Sequence, residues 1–313
     1  MKEQAVCFGK FNSLVGILTL PRSTETRRAK TAIIFLNAGI VHRVAAGRVY
    51  VKLARALART GFLAFRFDFS GIGDSPARQD SLRFEKSAVA ETQNAMDFLS
   101  ITLGITQFIL LGGCSGARVA FDTACCDTRV AGALLINFPC VEEEDGQENP
   151  GLTYRGRLSY YRRSALLNPS SWWRLITGHS NYRQLITTMT FAAKRLLVSE
   201  QNNSPRAARF RLDLKRLAER QAHLSFICSE GDHCLDDLRV AGGRDLKSLC
   251  AENKVAMDII DDSDHTFSSL QDQDRLIKTV VLRAMTMSQT QDEVHASSTT
   301  AGLQAACLPE YQS

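Results

Sequence analysis

Three side chains far apart in the chain are of the types that together can open an acyl bond: the hydroxyl of Ser115, the carboxylate of Asp232 and the imidazole of His265. A serine hydroxyl is a weak nucleophile near neutral pH. It needs a base to take its proton and a carboxylate to orient that base. Ser115 lies in Phe108-Ile-Leu-Leu-Gly-Gly-Cys-Ser-Gly-Ala-Arg-Val-Ala120, where a short apolar run passes through small residues into a stretch suited to a helix. This reads as strand, sharp turn and helix with the nucleophile at the apex. Small neighbours are required because the apex backbone is strained. Gly113-Cys-Ser-Gly-Ala117 matches G-x-S-x-G except at its last position, where Ala replaces Gly. Cys114 is a competing thiol nucleophile, although the residue before the apex is expected to point into packing.

Asp232 sits in Glu230-Gly-Asp232, just after the apolar run His223–Cys228. Asp236 and Asp237 are the alternative acids. Of His42, His179, His223, His233, His265 and His295, only His265 follows the last expected strand, Lys254–Ile260. The oxyanion of an attacked carbonyl needs two backbone N–H donors. One is expected from Gly116, the residue after the nucleophile. The other is expected from the loop Asn37-Ala-Gly39-Ile40, with Ile40 first and Gly39 next. Asn37, His42 and Arg43 are candidates to face the pocket. His42 and Arg43 read equally well as surface residues ahead of a helix.

The elements that must position these groups alternate. A hairpin (5–8 and 14–20) precedes apolar strands at 31–36, 62–67, 108–111 and 130–137, with helices expected over 47–60 and 83–103. After a break, strands at 223–228 and 254–260 alternate with helices over 238–253 and 270–287. Such alternation gives an α/β fold with a mostly parallel sheet, right-handed crossovers and helices on both faces. Ligands then bind at the carboxyl ends of the strands, so the loops after residues 36, 67, 111 and 137 share one rim. Between 141 and 222 the strand pattern stops. An acidic run, Glu142–Asp145, is followed by arginines and aromatics that include both tryptophans, Trp172 and Trp173. This segment reads as a helical cap over the rim, with at least one of the two tryptophans lining a pocket or the cap–core interface. The expected division is a core of 1–140 and 223–287, a cap of 141–222 and a disordered Gln-, Ser- and Thr-rich tail of 288–313.

The 313 residues carry a net charge of +5 and are 44% hydrophobic. That charge is too small to imply nucleic acid by itself. No apolar run approaches the roughly 18 residues that would span a bilayer, and residues 1–8 lack the apolar core of a signal peptide. Nine cysteines are scattered without a C-x-x-C pair, as expected of reduced thiols in a cytoplasmic protein. No metal or cofactor is expected. The expected partner is a small-molecule or acyl substrate, not nucleic acid, and no integral membrane segment is foreseen. The oligomeric state is left open.

A further stretch, Asp68-Phe-Ser-Gly-Ile-Gly-Asp-Ser75, joins these features. With Gly113-Cys-Ser-Gly-Ala117, Glu230-Gly-Asp232 and Asp264-His265, it makes roughly residues 1–287 resemble an α/β-hydrolase of the serine-aminopeptidase-like, monoacylglycerol-lipase-like branch. Leu36-Asn-Ala-Gly-Ile-Val-His-Arg43 and Ser229-Glu-Gly-Asp232 add a narrower resemblance to hydrolases associated with bacterial exosortase and exopolysaccharide clusters. The resemblance implies the α/β-hydrolase fold, with Ser115 as nucleophile, His265 as base and Asp232 as its acid. It implies a serine hydrolase that cleaves an ester, thioester or amide through an acyl-enzyme. An acyltransferase would use the same triad. A non-catalytic binding scaffold would predict a damaged triad, and binding of nucleic acid or a membrane surface through the basic cap has no accompanying motif.

Overall fold

The computed structural model describes residues 1–21, 30–140, 204–232 and 234–306, with side chains up to residue 289. The chain opens on the hairpin β1 (Lys2–Phe8) and β2 (Leu14–Leu20). It continues as β3 (Thr31–Leu36), α1 (Val49–Arg59), β4 (Leu63–Phe67), α2 (Phe84–Leu103), β5 (Gln107–Gly113), α3 (Ser115–Cys126) and β6 (Val130–Ile136). Then follow α4 (Pro205–Glu219), β7 (His223–Ser229), α5 (Cys234–Ala251), β8 (Val255–Ile260) and α6 (Leu270–Ala306). The eight strands form one sheet in the order β1-β2-β4-β3-β5-β6-β7-β8. β1 and β2 pair antiparallel, as do β2 and β4. All remaining pairs are parallel.

Every residue of β3 and of β4 is buried. Continuous apolar strands of this kind require cover on both faces. One face is packed by α2, α3, α4 and α5 around Phe65, Phe108, Phe121, Phe138 and Phe226. The other is packed by α1 and α6, through Leu53, Leu57, Leu276 and Val280 against Ile33, Ile109 and Leu134. The parallel register sets the carboxyl ends of β3, β5, β6, β7 and β8 along one rim, and the candidate residues among the described ones leave from there.

Two expected boundaries move. Residues 205–219 were expected within the cap, but α4 is a core helix. Its Phe210 ring lies 5.6 Å from Phe138 and 5.4 Å from Phe121. Its start is capped by the Ser204 hydroxyl, which accepts from the Ala207 N–H at 3.1 Å, with Pro205 in the first turn; both are helix-start signals. At the other end, α6 passes residue 287, so 288–306 is helical backbone and not the disordered tail expected. Only Gly302 opposes a helix there, and the first proline comes at 309. The rest of the expected cap, 141–203, lies outside the described residues. No helix among the described residues is long and apolar enough to cross a membrane.

Candidate active site

The turn between β5 and α3 is strained at one residue. Cys114 has φ 50° and ψ −123°, a conformation that L side chains rarely adopt. Its neighbours explain which small residues are obligatory. A Cβ on Gly112 would lie 2.2 Å from the carbonyl carbon of Gly116, and one on Gly116 would lie 2.5 Å from the carbonyl oxygen of Asn37. A Cβ on Gly113 would meet only the Tyr50 hydroxyl, at an ordinary 3.5 Å. The sterically required glycines therefore stand two residues either side of Cys114. The motif reads Gly112-x-Cys114-x-Gly116, without a departure. The expectation that Ser115 occupies the apex is corrected by one residue: Ser115 is the first residue of α3.

His265 Nδ1 is hydrogen-bonded to Asp232 Oδ2, in the position expected from chain order. The Asp232 side chain is almost fully buried, and its Oδ1 accepts from the Cys234 N–H at 2.9 Å. The charge of the imidazole also acts on the Cys114 thiol. Among the described residues no hydrogen bond joins His265 to Ser115. The Ser115 hydroxyl oxygen instead accepts from the Gly39 N–H at 2.7 Å. Asp236 pairs with Arg239, and Asp237 is buried on α5; the carboxylate on His265 is Asp232.

The electrostatics follow this line of contacts. The hydrogen bond to Asp232, then the neighbouring Cys114 thiol, raise His265 to about 10 against the opposing effect of burial. The neighbouring His265 outweighs burial and lowers the Cys114 thiol below its ordinary 9.0. Burial pushes the Asp232 carboxyl up, but hydrogen bonds from His265 and Cys234 outweigh it and hold it at about 2. A proton placed on the imidazole, between a thiolate and a carboxylate, satisfies all three.

The supports of this line lie on neighbouring strand ends. Asn137, directly after β6, is buried with φ 47°. Its amide nitrogen donates to the His265 carbonyl at 3.0 Å, and its amide oxygen accepts from the Ser229 N–H at 2.8 Å. It therefore ties the histidine loop to the end of β7. Tyr50 on α1 is fully buried. Its hydroxyl donates to the Leu36 carbonyl at 3.0 Å and accepts from the Gly113 N–H at 2.8 Å, joining the end of β3 to the turn. Neither residue was singled out from the sequence as a support.

The loop after β3 is held from behind. Asn37 is buried and donates to Asp68 Oδ1 at 3.1 Å and to the Val41 carbonyl at 2.9 Å. Arg43 is ion-paired with Asp68 and Asp74. Gly73, with φ 54°, leaves room for the Asp68 carboxylate, which a Cβ there would meet at 2.3 Å. Asn37 and Arg43 thus act as braces of the loop. His42 is exposed, and its Nδ1 accepts from the Val44 N–H at 3.3 Å. The donor aimed at the turn is Gly39. Ile40, expected ahead of it, has a side chain 92% exposed. Trp172 and Trp173 lie outside the described residues. The eight cysteines among the described residues are all free.

The sequence profile of the alpha/beta hydrolase fold family matches residues 32–224. Among curated proteins, none matches the chain by sequence. Solved structures with a similar fold include proline iminopeptidase from Mycobacterium smegmatis (16% identity, TM-score 0.55, covering 93% of this chain and 100% of that one). A serine hydrolase homologue from Coxiella burnetii is similar at 14% identity and TM-score 0.51, covering 90% of this chain and 97% of that one. An esterase from Pyrococcus furiosus is similar at 13% identity and TM-score 0.52, with 90% and 91% covered. At these identities the structures speak for the fold alone, and the profile match spans more than half of the sequence. On that match, and on the sheet order and strand-end loops described above, the chain belongs to the alpha/beta hydrolase fold family.

Proposed function

We propose that the protein is an acyl hydrolase working through Cys114, His265 and Asp232. The observation that carries the reading is the strained positive-φ backbone of Cys114, set between the sterically obligatory Gly112 and Gly116, with the Asp232-bound His265 acting on its thiol. In the proposed cycle the Cys114 thiolate attacks the carbonyl carbon of an ester, thioester or amide. The developing oxyanion is held by the N–H of Ser115, the residue after the nucleophile, and by the N–H of Gly39. The Ser115 hydroxyl, now the acceptor of the Gly39 N–H, gives way to the substrate oxygen. His265 passes its proton to the leaving group as the tetrahedral adduct collapses to a thioester. It then takes a proton from water, which releases the acid and restores the thiolate. Asp232 accepts from Nδ1 throughout and keeps the opposite ring nitrogen facing the sulfur.

Ser115 keeps a place in this reading as a donor of backbone N–H, not as the nucleophile. A thiolate nucleophile suits a reducing compartment, consistent with a cytoplasmic location. The segment 141–203, with Trp172 and Trp173, is the candidate cover of the rim. The narrower resemblance to exosortase-associated hydrolases makes acyl esters and thioesters of that setting the first substrates to try. The test is to trap the acyl-enzyme with p-nitrophenyl acetate at low pH and map it by peptide mass spectrometry. The acyl group is expected on Cys114. Acylation of Ser115 with Cys114 free overturns the assignment.

A further inference from the structure

A cavity of about 250 Å³ lies on the face of the sheet covered by α1. Its floor is the cross-strand row Ala5, Ile17 and Arg66. Its walls include Arg43, Arg48 and Arg55, and its lining contains one carboxylate, Glu3.

The charges there do not balance. Arg43 is matched by Asp68 and Asp74. Glu3 must serve both Arg55, whose Nη2 donates to it at 2.6 Å, and Arg66, whose Nη2 donates at 3.2 Å. Arg48, exposed at the start of α1, has no partner among the described residues. Three guanidiniums thus face one carboxylate. The Arg66 side chain is 4% exposed, and its Nε is buried with no hydrogen-bond partner. A buried unpaired donor on a cation is costly unless something supplies the acceptor. Burial lowers the Arg66 guanidinium; Glu3 raises it, and repulsion from Arg43 and Arg55 lowers it again.

We propose that this cavity binds a phosphate-type dianion through Arg48, Arg55 and Arg66. Two negative charges balance the excess. Tetrahedral oxygens also match the planar forks of guanidinium groups, which favour bidentate contact with phosphate. Arg43 lines the cavity and also braces the loop that carries Gly39, so an occupied site would lie directly behind that loop.

The test is thermal unfolding of the full chain titrated with inorganic phosphate at slightly alkaline pH, against sodium chloride of matched ionic strength. A second arm uses glycerol 3-phosphate. A saturable rise in Tm with phosphate beyond chloride is expected. R48Q/R55Q should weaken the apparent affinity at least about tenfold, the scale of lost charged hydrogen bonds. E3Q should move the midpoint to lower phosphate concentration. Cys114→Ala should leave the shift intact, which separates this site from the proposed catalytic groups. Equal response to both ligands identifies a free-oxyanion site, and a stronger response to glycerol 3-phosphate identifies a phosphomonoester site. A shift no larger than that of chloride, or one kept in R48Q/R55Q, overturns the proposal.

Discussion

Gly112 and Gly116 face each other across the β5–α3 turn so closely that a Cβ on the first would sit 2.2 Å from the carbonyl carbon of the second. That contact fixes which residue between them is the apex. It makes a sharp stability prediction. Gly112→Ala should cost about 3 kcal/mol, because backbone must shift to admit the methyl group. Gly113→Ala, which meets only the Tyr50 hydroxyl at 3.5 Å, should cost less than about 1 kcal/mol. Urea unfolding of the two variants checks the difference.

Tyr50 links the two backbone segments that frame the oxyanion. Tyr50→Phe leaves the Leu36 carbonyl and the Gly113 N–H without their partner. Each buried unpaired group costs about 1–3 kcal/mol. Turnover should fall through kcat with KM little changed, since the ring still fills its place. A steady-state comparison with a p-nitrophenyl ester measures this.

Much of the architecture is legible in the sequence, because buried parallel strands such as Thr31–Leu36 declare themselves as unbroken apolar runs. Asp232 and His265 are legible for a related reason: each is the titratable residue just past such a run. The apex is where the reading slips. Gly112, Gly113 and Gly116 allow two frames, and the hydroxyl draws attention to the frame that needs Ala117 in place of glycine. The signal was present, because Gly112-x-Cys114-x-Gly116 has glycine at both outer positions. Deciding between the frames takes the distance from Gly112 to Gly116, which no periodicity contains. Asn137 hides for a different reason. Its partners are the Ser229 N–H and the His265 carbonyl, backbone groups that leave no mark on residue type. The core role of α4 depends on Phe210 meeting Phe121 and Phe138, a contact across distant stretches of chain.

Asn137 gives a third prediction. Asn137→Gly keeps the positive φ accessible but loses both amide contacts. The histidine loop is then untied from β7, and kcat should fall about tenfold or more while thiol alkylation of Cys114 persists. Alkylation rates with iodoacetamide, read beside ester turnover, separate mispositioning from unfolding.

The pH dependence of Cys114 follows from its surroundings. A thiol held below 9.0 is a thiolate at lower pH than an ordinary cysteine, so alkylation should already be fast near neutrality. Asp232→Asn removes the strongest support of the His265 proton. The imidazole then loses its charge at lower pH, the thiolate loses its cation, and the alkylation profile should move toward higher pH. A profile unchanged by Asp232→Asn is incompatible with the contacts described.

The same groups set a stability signature. A histidine raised to about 10 from 6.5 contributes stability that is complete below 6.5 and fades as pH rises through 10. The lowered Cys114 thiol contributes the opposite way, its stabilisation being complete only above 9.0, so the net loss in the wild-type chain should fall at the alkaline end of that window, and Asp232→Asn should lose less. Denaturant midpoints measured from neutral to alkaline pH check the sign.

The most direct test compares Cys114→Ala with Ser115→Ala for kcat/KM on one p-nitrophenyl ester. With Cys114 as nucleophile, the first variant should fall by about a thousandfold or more, whereas the second, which keeps its backbone N–H, should stay within about tenfold of wild type. Full activity in Cys114→Ala together with loss in Ser115→Ala contradicts the account.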